Sequence, residues 1–208
     1  MYIIDFDDTL FDTQRYKQER MRSLVSLGVS EEIFWQTYAR VRKNERGEMV
    51  YSDERHATLL EEYGFEKNKI LAAFDVINKK AKGFLFSDTL YFLQEIKKTQ
   101  APLILLSLGD PHIQEMKVKG SGIDVYFDRM FLVTDTKKHL VKGLLDRHSQ
   151  EKVWFINDKI NETKEVCDIS TLITPVLRQS PNIAAEEYHK SGIVYFQSLT
   201  EILKYVQS

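Results

Sequence analysis

Cysteine is nearly missing from this chain. Of 208 residues only Cys167 carries a thiol, so no internal disulfide can form and the fold must rest on a buried apolar core. A reducing, cytoplasmic location is the expectation. Proline (4) and glycine (9) are scarce, and no Pro/Gly/Ser-rich linker, low-complexity tract or repeat interrupts the chain. No run of about 18 apolar residues occurs, which argues against a membrane span. The apolar start Met1–Ile4 is broken at once by Asp5, Asp7 and Asp8, too early for a secretory signal. An excess of one charge is lacking as well. With 29 basic and 31 acidic residues the net charge is -2, so neither a nucleic acid nor a membrane surface is an expected partner. What remains is a globular composition, 43% hydrophobic and 29% charged, sufficient for one sizeable domain or a core with a smaller insertion.

Short apolar runs at Tyr2–Phe6, Leu103–Ser107, Met130–Val133, Val153–Asn157 and Thr171–Val176 read as buried parallel strands, and Ile193–Phe196 as a strand or extended edge. Helical stripes lie between most of them: Leu90, Leu93 and Ile96; Leu140, Val141, Leu144 and Leu145; Leu199, Ile202, Leu203 and Val206. Strands alternating with helices imply βαβ units. The rhythm fails from about Thr13 to Lys82, where helix follows helix. Ile33, Phe34, Tyr38 and Val41 form one face, and Ile70, Ala73, Phe74 and Ile77 another. Leu59, Leu60 and Tyr63 form a third, stopped at Gly64. The expected fold is α/β, a Rossmann-like doubly wound parallel sheet with an all-helical insertion.

The first predicted strand ends in Asp5-Phe6-Asp7-Asp8-Thr9-Leu10. Three carboxylates this close repel one another unless protonated or joined by a cation. Mg²⁺ takes oxygen ligands and keeps several waters, which suits one or two carboxylates plus a substrate phosphate. In open parallel sheets ligands bind beyond the carboxyl ends of the strands, where these aspartates fall. Strand alternation would turn Asp5 and Asp7 to the same side. One could then attack phosphorus, forming an aspartyl-phosphate, while the other moves protons. An acidic turn capping a helix is the ordinary alternative.

Asp5-Phe6-Asp7-Asp8-Thr9 resembles the DxDxT signature of haloacid dehalogenase-like phosphatases. That resemblance implies Asp5 as nucleophile, Asp7 as general acid/base and Thr9 in the substrate-binding turn. It also calls for three later groups. After Leu103–Leu106, Ser107 offers a hydroxyl, and Leu108 and its neighbours offer backbone N–H groups for phosphoryl oxygens. Lys137 would offset the charge of the transferring group, with Lys138 as its immediate rival; Lys117 and Lys119 come too early in the chain. Lys138 stands where relatives carry proline, leaving that helix start less defined. Asn157-Asp158-Lys159-Ile160-Asn161-Glu162 stands for the acidic GDxxxD pattern, with Asn for Gly and Glu for the second Asp. Mg²⁺ would be held by Asp5, Asp158 and the Asp7 carbonyl, with Glu162 binding directly, through water, or serving only as a helix-dipole charge.

The resemblance implies residues 1–13 and 84–208 as the catalytic core and 14–83 as a helical cap. It implies a magnesium-dependent phosphohydrolase acting on a small phosphorylated metabolite. A phosphomutase would use the same residues, and a non-catalytic protein could retain the fold. A dehalogenase would need neither the acid at Asp7 nor a metal. A receiver domain would place its acceptor on a middle strand, and the absence of GxxxxGK[ST] excludes a P-loop enzyme. For substrate choice the cap offers Arg42, Lys43, Arg46, Tyr51 and Arg55. Its Lys43–Glu48 segment reads as a polar loop able to approach the site, or as a solvated turn.

Overall fold

The computed structural model describes residues 1–146 and 152–208. Strands β1 (Tyr2–Ile4), β2 (Leu103–Leu108), β3 (Arg129–Val133), β4 (Val153–Asn157), β5 (Ile173–Arg178) and β6 (Tyr195–Phe196) form one sheet in the order β3-β2-β1-β4-β5-β6. Every pairing is parallel. The order reverses at β1, so a crevice opens beyond the carboxyl ends of β1 and β4, as in other doubly wound sheets.

Burial on both faces explains the unbroken apolar runs. Tyr2, Ile4, Leu103, Leu105 and Ile156 face one cluster with α5 (Thr89–Lys97) and α10 (Leu199–Gln207). Met1, Ile3, Ile104, Leu106 and Phe155 face another with α7 (Lys137–Leu145) and α8 (Ile160–Cys167). The helices α6 (Pro111–Ser121) and α9 (Ala185–Ser191) complete the layers.

Between β1 and α5 stand α1 (Thr13–Val25), α2 (Glu31–Val41), α3 (Asp53–Glu62) and α4 (Lys67–Asn78), the inserted helical cap. These helices enclose a core of their own, including Met21, Leu24, Phe34, Leu60, Ile70 and Phe74. Ser30 and Ser52 cap α2 and α3 through their side chains, and Gly64 follows α3 at φ +91°, a left-handed turn that a side chain would strain. Arg20 pins the cap together from within. It pairs with Asp53, donates to Tyr51 Oη at 2.5 Å and Asn78 Oδ1 at 2.9 Å, and lies over the Phe74 ring.

Three sequence expectations shift. β1 stops at Ile4 because the Phe6 carbonyl accepts from the N–H groups of Thr9, Leu10 and Phe11, which coils the chain. β5 runs later than Thr171–Val176, since the Ile173 N–H closes a turn onto the Ser170 carbonyl and pairing with β6 extends the far end to Arg178. The edge run narrows to Tyr195–Phe196. Among the described residues no helix is long and apolar enough to cross a membrane.

Candidate active site

Four chain segments meet at the carboxyl rim of the sheet. The turn after β1 brings Asp5, Asp7 and Asp8. Asp8 adopts φ +57°, a conformation Asp tolerates better than most residues. Its carboxylate closes the turn by accepting from Thr13 N–H at 3.0 Å and Gln14 Nε2 at 2.8 Å. Asp5 is 2% exposed. It accepts from Lys137 Nζ at 2.5 Å and from Thr9 Oγ1 at 3.2 Å. Burial pushes the Asp5 carboxyl up, with Lys137 and Lys159 opposing it.

Lys137 reaches Asp5 from the first residue of α7. The Thr136 hydroxyl caps that helix, accepting from Lys138 N–H at 3.2 Å, so the helix start is well defined without a proline. Lys138 itself is exposed. Lys137 also stands 2.9 Å from Glu162 Oε2, and Lys159 lies 2.9 Å from Glu162 Oε1. Burial would raise the Glu162 carboxyl, but the two ammonium groups pull it down to about 2. Glu162 is thus a counter-ion to Lys137 and Lys159, an arrangement in which both of its oxygens face ammonium groups.

Asp158, after β4, has its backbone held where the Tyr188 hydroxyl donates to the Asp158 carbonyl at 2.6 Å. Its carboxylate atom Oδ1 is buried and has no hydrogen-bond partner. Burial, then the charge of Asp5, pushes the Asp158 carboxyl well above the usual range. An unpartnered buried carboxylate is costly. All-oxygen donors with Asp5 beside them fit a hard divalent cation such as Mg²⁺. Among the described residues no three Asp, Glu, His or Cys side chains converge as a ready-made metal cluster. Asp5 and Asp158 would therefore be the protein's carboxylate ligands, leaving the rest of the shell to carbonyl, water and phosphate oxygens.

Asp7 does not follow from strand alternation, because the strand ends before it. Its carboxylate instead accepts from Thr13 Oγ1 at 2.5 Å, Gln114 Nε2 at 2.6 Å and Lys117 Nζ at 2.5 Å. Burial would raise Asp7, but the Lys117 ammonium and these hydrogen bonds outweigh it and hold the carboxyl well below its ordinary value. Gln114 Nε2 also donates to Ser107 Oγ at 2.8 Å and to the Leu108 carbonyl at 3.2 Å, coupling the end of β2 to Asp7. Gly109 leaves room for this side chain: a Cβ there would lie 2.6 Å from Gln114 Nε2.

Gln114 and Lys117 are the residues that sequence reasoning missed, and Lys117 had been set aside as too early in the chain. A signal existed. Positions 114, 117, 118 and 121 form the buried face of α6, and a glutamine and a lysine on an inward face call for buried partners.

A cavity of about 540 Å³ lies between this rim and the cap. Asp7, Asp8, Leu108, Lys117, Asp158 and Glu162 line the floor, and side chains of α1 and α2 line the roof. Of the cap candidates, Arg42, Lys43 and Tyr51 line it, joined by Lys17 and Tyr38. The Lys43–Glu48 turn exposes Glu45 and Arg46, yet its base is latched to the core where the Met49 N–H donates to the Thr134 carbonyl at 3.1 Å.

The family model for haloacid dehalogenase-like hydrolases matches residues 2–167. No curated protein sequence matches the chain. Among solved structures, a candidate HAD-hydrolase from Bacillus subtilis described as bound to magnesium superposes with a TM-score of 0.65 at 16% identity, covering 100% of this chain and 98% of its own. A predicted phosphoglycolate phosphatase from Haemophilus somnus gives 0.63 at 14%, covering 99% and 97%. The L-2-haloacid dehalogenase of Xanthobacter autotrophicus gives 0.65 at 14%, covering 100% and 98%. One fold thus carries differently described chemistries, and the site must discriminate among them.

Proposed function

The chain belongs to the haloacid dehalogenase-like hydrolase family, and on that premise we propose that it is a magnesium-dependent phosphohydrolase that hydrolyses a small phosphorylated metabolite through an aspartyl-phosphate at Asp5. The observation that carries this reading is the buried carboxylate atom of Asp158 left without a partner beside Asp5. Displacement of a halide needs no metal, whereas phosphoryl transfer needs a cation to offset negative charge on both nucleophile and substrate, and the free Asp158 oxygen is a place to hold one. The segments 1–13 plus 84–208 act as the catalytic core and 14–83 as the cap.

Asp5 and Asp158 would hold Mg²⁺, which supplies charge neutralisation and orients the phosphoryl oxygens when bound. Lys137, Ser107 and the backbone N–H after it bind those oxygens. An Asp5 oxygen attacks phosphorus, and the bond to the ester oxygen breaks. Asp7, entering this step protonated, passes its proton to that leaving oxygen. Asp7, held as carboxylate by Lys117, Gln114 and Thr13, then takes a proton from the water that attacks the aspartyl-phosphate. Inorganic phosphate departs and Asp5 is restored. The cap covers the cavity and limits bulk water.

Phosphate release from p-nitrophenyl phosphate, with and without Mg²⁺, tests the reading. Wild-type protein is expected to be active only with Mg²⁺, and Asp5→Asn to be inactive with an unchanged circular dichroism spectrum. Wild-type turnover by Asp5→Asn, or halide release from a 2-haloacid in place of phosphate release, would overturn it.

A further inference from the structure

The roof of the cavity holds cationic side chains that no ion pair takes up among the described residues. Six cationic side chains line the cavity. Arg20 is consumed by Asp53 and the cap core, Lys117 by Asp7, and Lys159 by Glu162. Lys17, Arg42 and Lys43 remain. Among the described residues none of these three forms an ion pair.

Their position is built rather than incidental. Lys17 rises from α1 with its ammonium 5.7 Å from the centre of the Tyr38 ring. Burial pushes it below the usual lysine range, with Asp7 opposing from the floor and Arg42 reinforcing the shift. Arg42 caps α2, and its carbonyl accepts from the Val50 N–H at 3.1 Å. Lys43 bridges to Met49, the residue whose N–H anchors the turn to Thr134. The segment carrying Arg42 and Lys43 is therefore fastened over the core. Lys17 is half-buried while Arg42 and Lys43 are exposed at the cavity mouth, so water screens part of their mutual repulsion and a bound anion would relieve the rest. Tyr38 and Tyr51, with ring centres 5.2 Å apart, supply apolar faces beside that charge. The cavity lies within the size range of metabolite sites; Asp7, Asp8 and Asp158 line its floor, while the buried Asp5 lies behind that lining.

We propose that the roof is a second-anion subsite: the leaving group of the substrate carries a further phosphate or carboxylate, bound by Lys17, Arg42 and Lys43 while Tyr38 and Tyr51 flank its carbon frame. This rests on the phosphohydrolase reading and narrows it to phosphate esters with two separated anionic ends.

The test compares kcat/KM for glucose 1,6-bisphosphate, 3-phosphoglycerate and p-nitrophenyl phosphate at one Mg²⁺ concentration, in wild type and in the K17M/R42M double variant. At least one two-anion ester is expected to exceed p-nitrophenyl phosphate at least tenfold, chiefly through KM, and its advantage to fall about tenfold in the double variant. Preference for the bisphosphate or the phosphoglycerate identifies the second anion as phosphate or carboxylate. An unchanged ratio in the double variant overturns the subsite. If wild type releases no phosphate from any ester, the phosphohydrolase reading fails instead. Calorimetric titration of the same two-anion compounds into wild type and variant then reads the roof directly, and equal affinity or absence of binding overturns it.

Discussion

At the scale of single residues, the site is defined by which charges have partners. Asp5 has Lys137, Asp7 has Lys117, and Glu162 has two lysines. Asp158 has one carboxylate oxygen with nothing to accept from. Asp158→Asn is therefore expected to stabilise the metal-free protein, because an amide removes a buried charge and can donate toward Asp5. A gain of about 1–3 kcal/mol would raise Tm by about 2–4 °C for each kcal/mol. Mg²⁺ should raise the Tm of wild type by mass action and leave that of Asp158→Asn unchanged. Differential scanning fluorimetry with and without MgCl₂ checks both halves, and an equal Mg²⁺ response in the two proteins would remove Asp158 from the metal site. The motif residues were legible in sequence because their spacing is local. The partners were less so: Lys117 stands 110 positions from Asp7, and local spacing carries no information about that pair.

At the scale of elements, α6 serves as the bracket between two stations. It is capped by the Asp110 side chain and opened by Pro111, a good first helical residue, and this start sets where Gln114 and Lys117 emerge. Gly109 is the clearance that lets Gln114 lie back over Ser107 and Leu108. Gly109→Ala is expected to displace the flexible Gln114 side chain rather than the backbone. Stability should change by less than about 1 kcal/mol, while kcat falls about tenfold as Asp7 and Ser107 lose their shared donor. Steady-state kinetics beside a urea melt separates these effects; unimpaired kcat would show that Gln114 has no part in placing Asp7. The α7 start carries a similar lesson. The missing proline left the start of that helix less defined in sequence, and the Thr136 hydroxyl defines it in space.

At the scale of the whole molecule, the described residues form three apolar cores, two against the sheet and one inside the cap. The cap core contains a fully buried histidine. His56 lies between Thr37 Oγ1 at 2.9 Å and Tyr51 Oη at 3.2 Å, packed against Phe34 and Phe74. Burial, then Arg20, lowers it to about 3. The unfolded chain takes up this proton near pH 6.5 and the folded cap only near pH 3. Neutral His56 therefore favours unfolding progressively as pH falls through that window, with a slope approaching about 1.4 kcal/mol per pH unit. Above pH 7 it contributes no pH dependence. Urea melts between pH 7 and 4 are expected to lose stability with this slope and to lose less in His56→Gln; identical slopes would relocate the effect to other groups.

Periodicity determined the alternation of strands and helices and the inserted helical layer, and the resemblance of Asp5–Thr9 to a known signature marked the acidic turn, because each depends on neighbours within a few residues. Only tertiary structure decided the reversal of strand order at β1, the pairing of Asp7 with Lys117, the pairing of Glu162 with two lysines and the docking of the cap turn on Thr134. Those outcomes depend on which distant groups are brought into a low-dielectric crevice, where every buried charge must find a partner or a ligand.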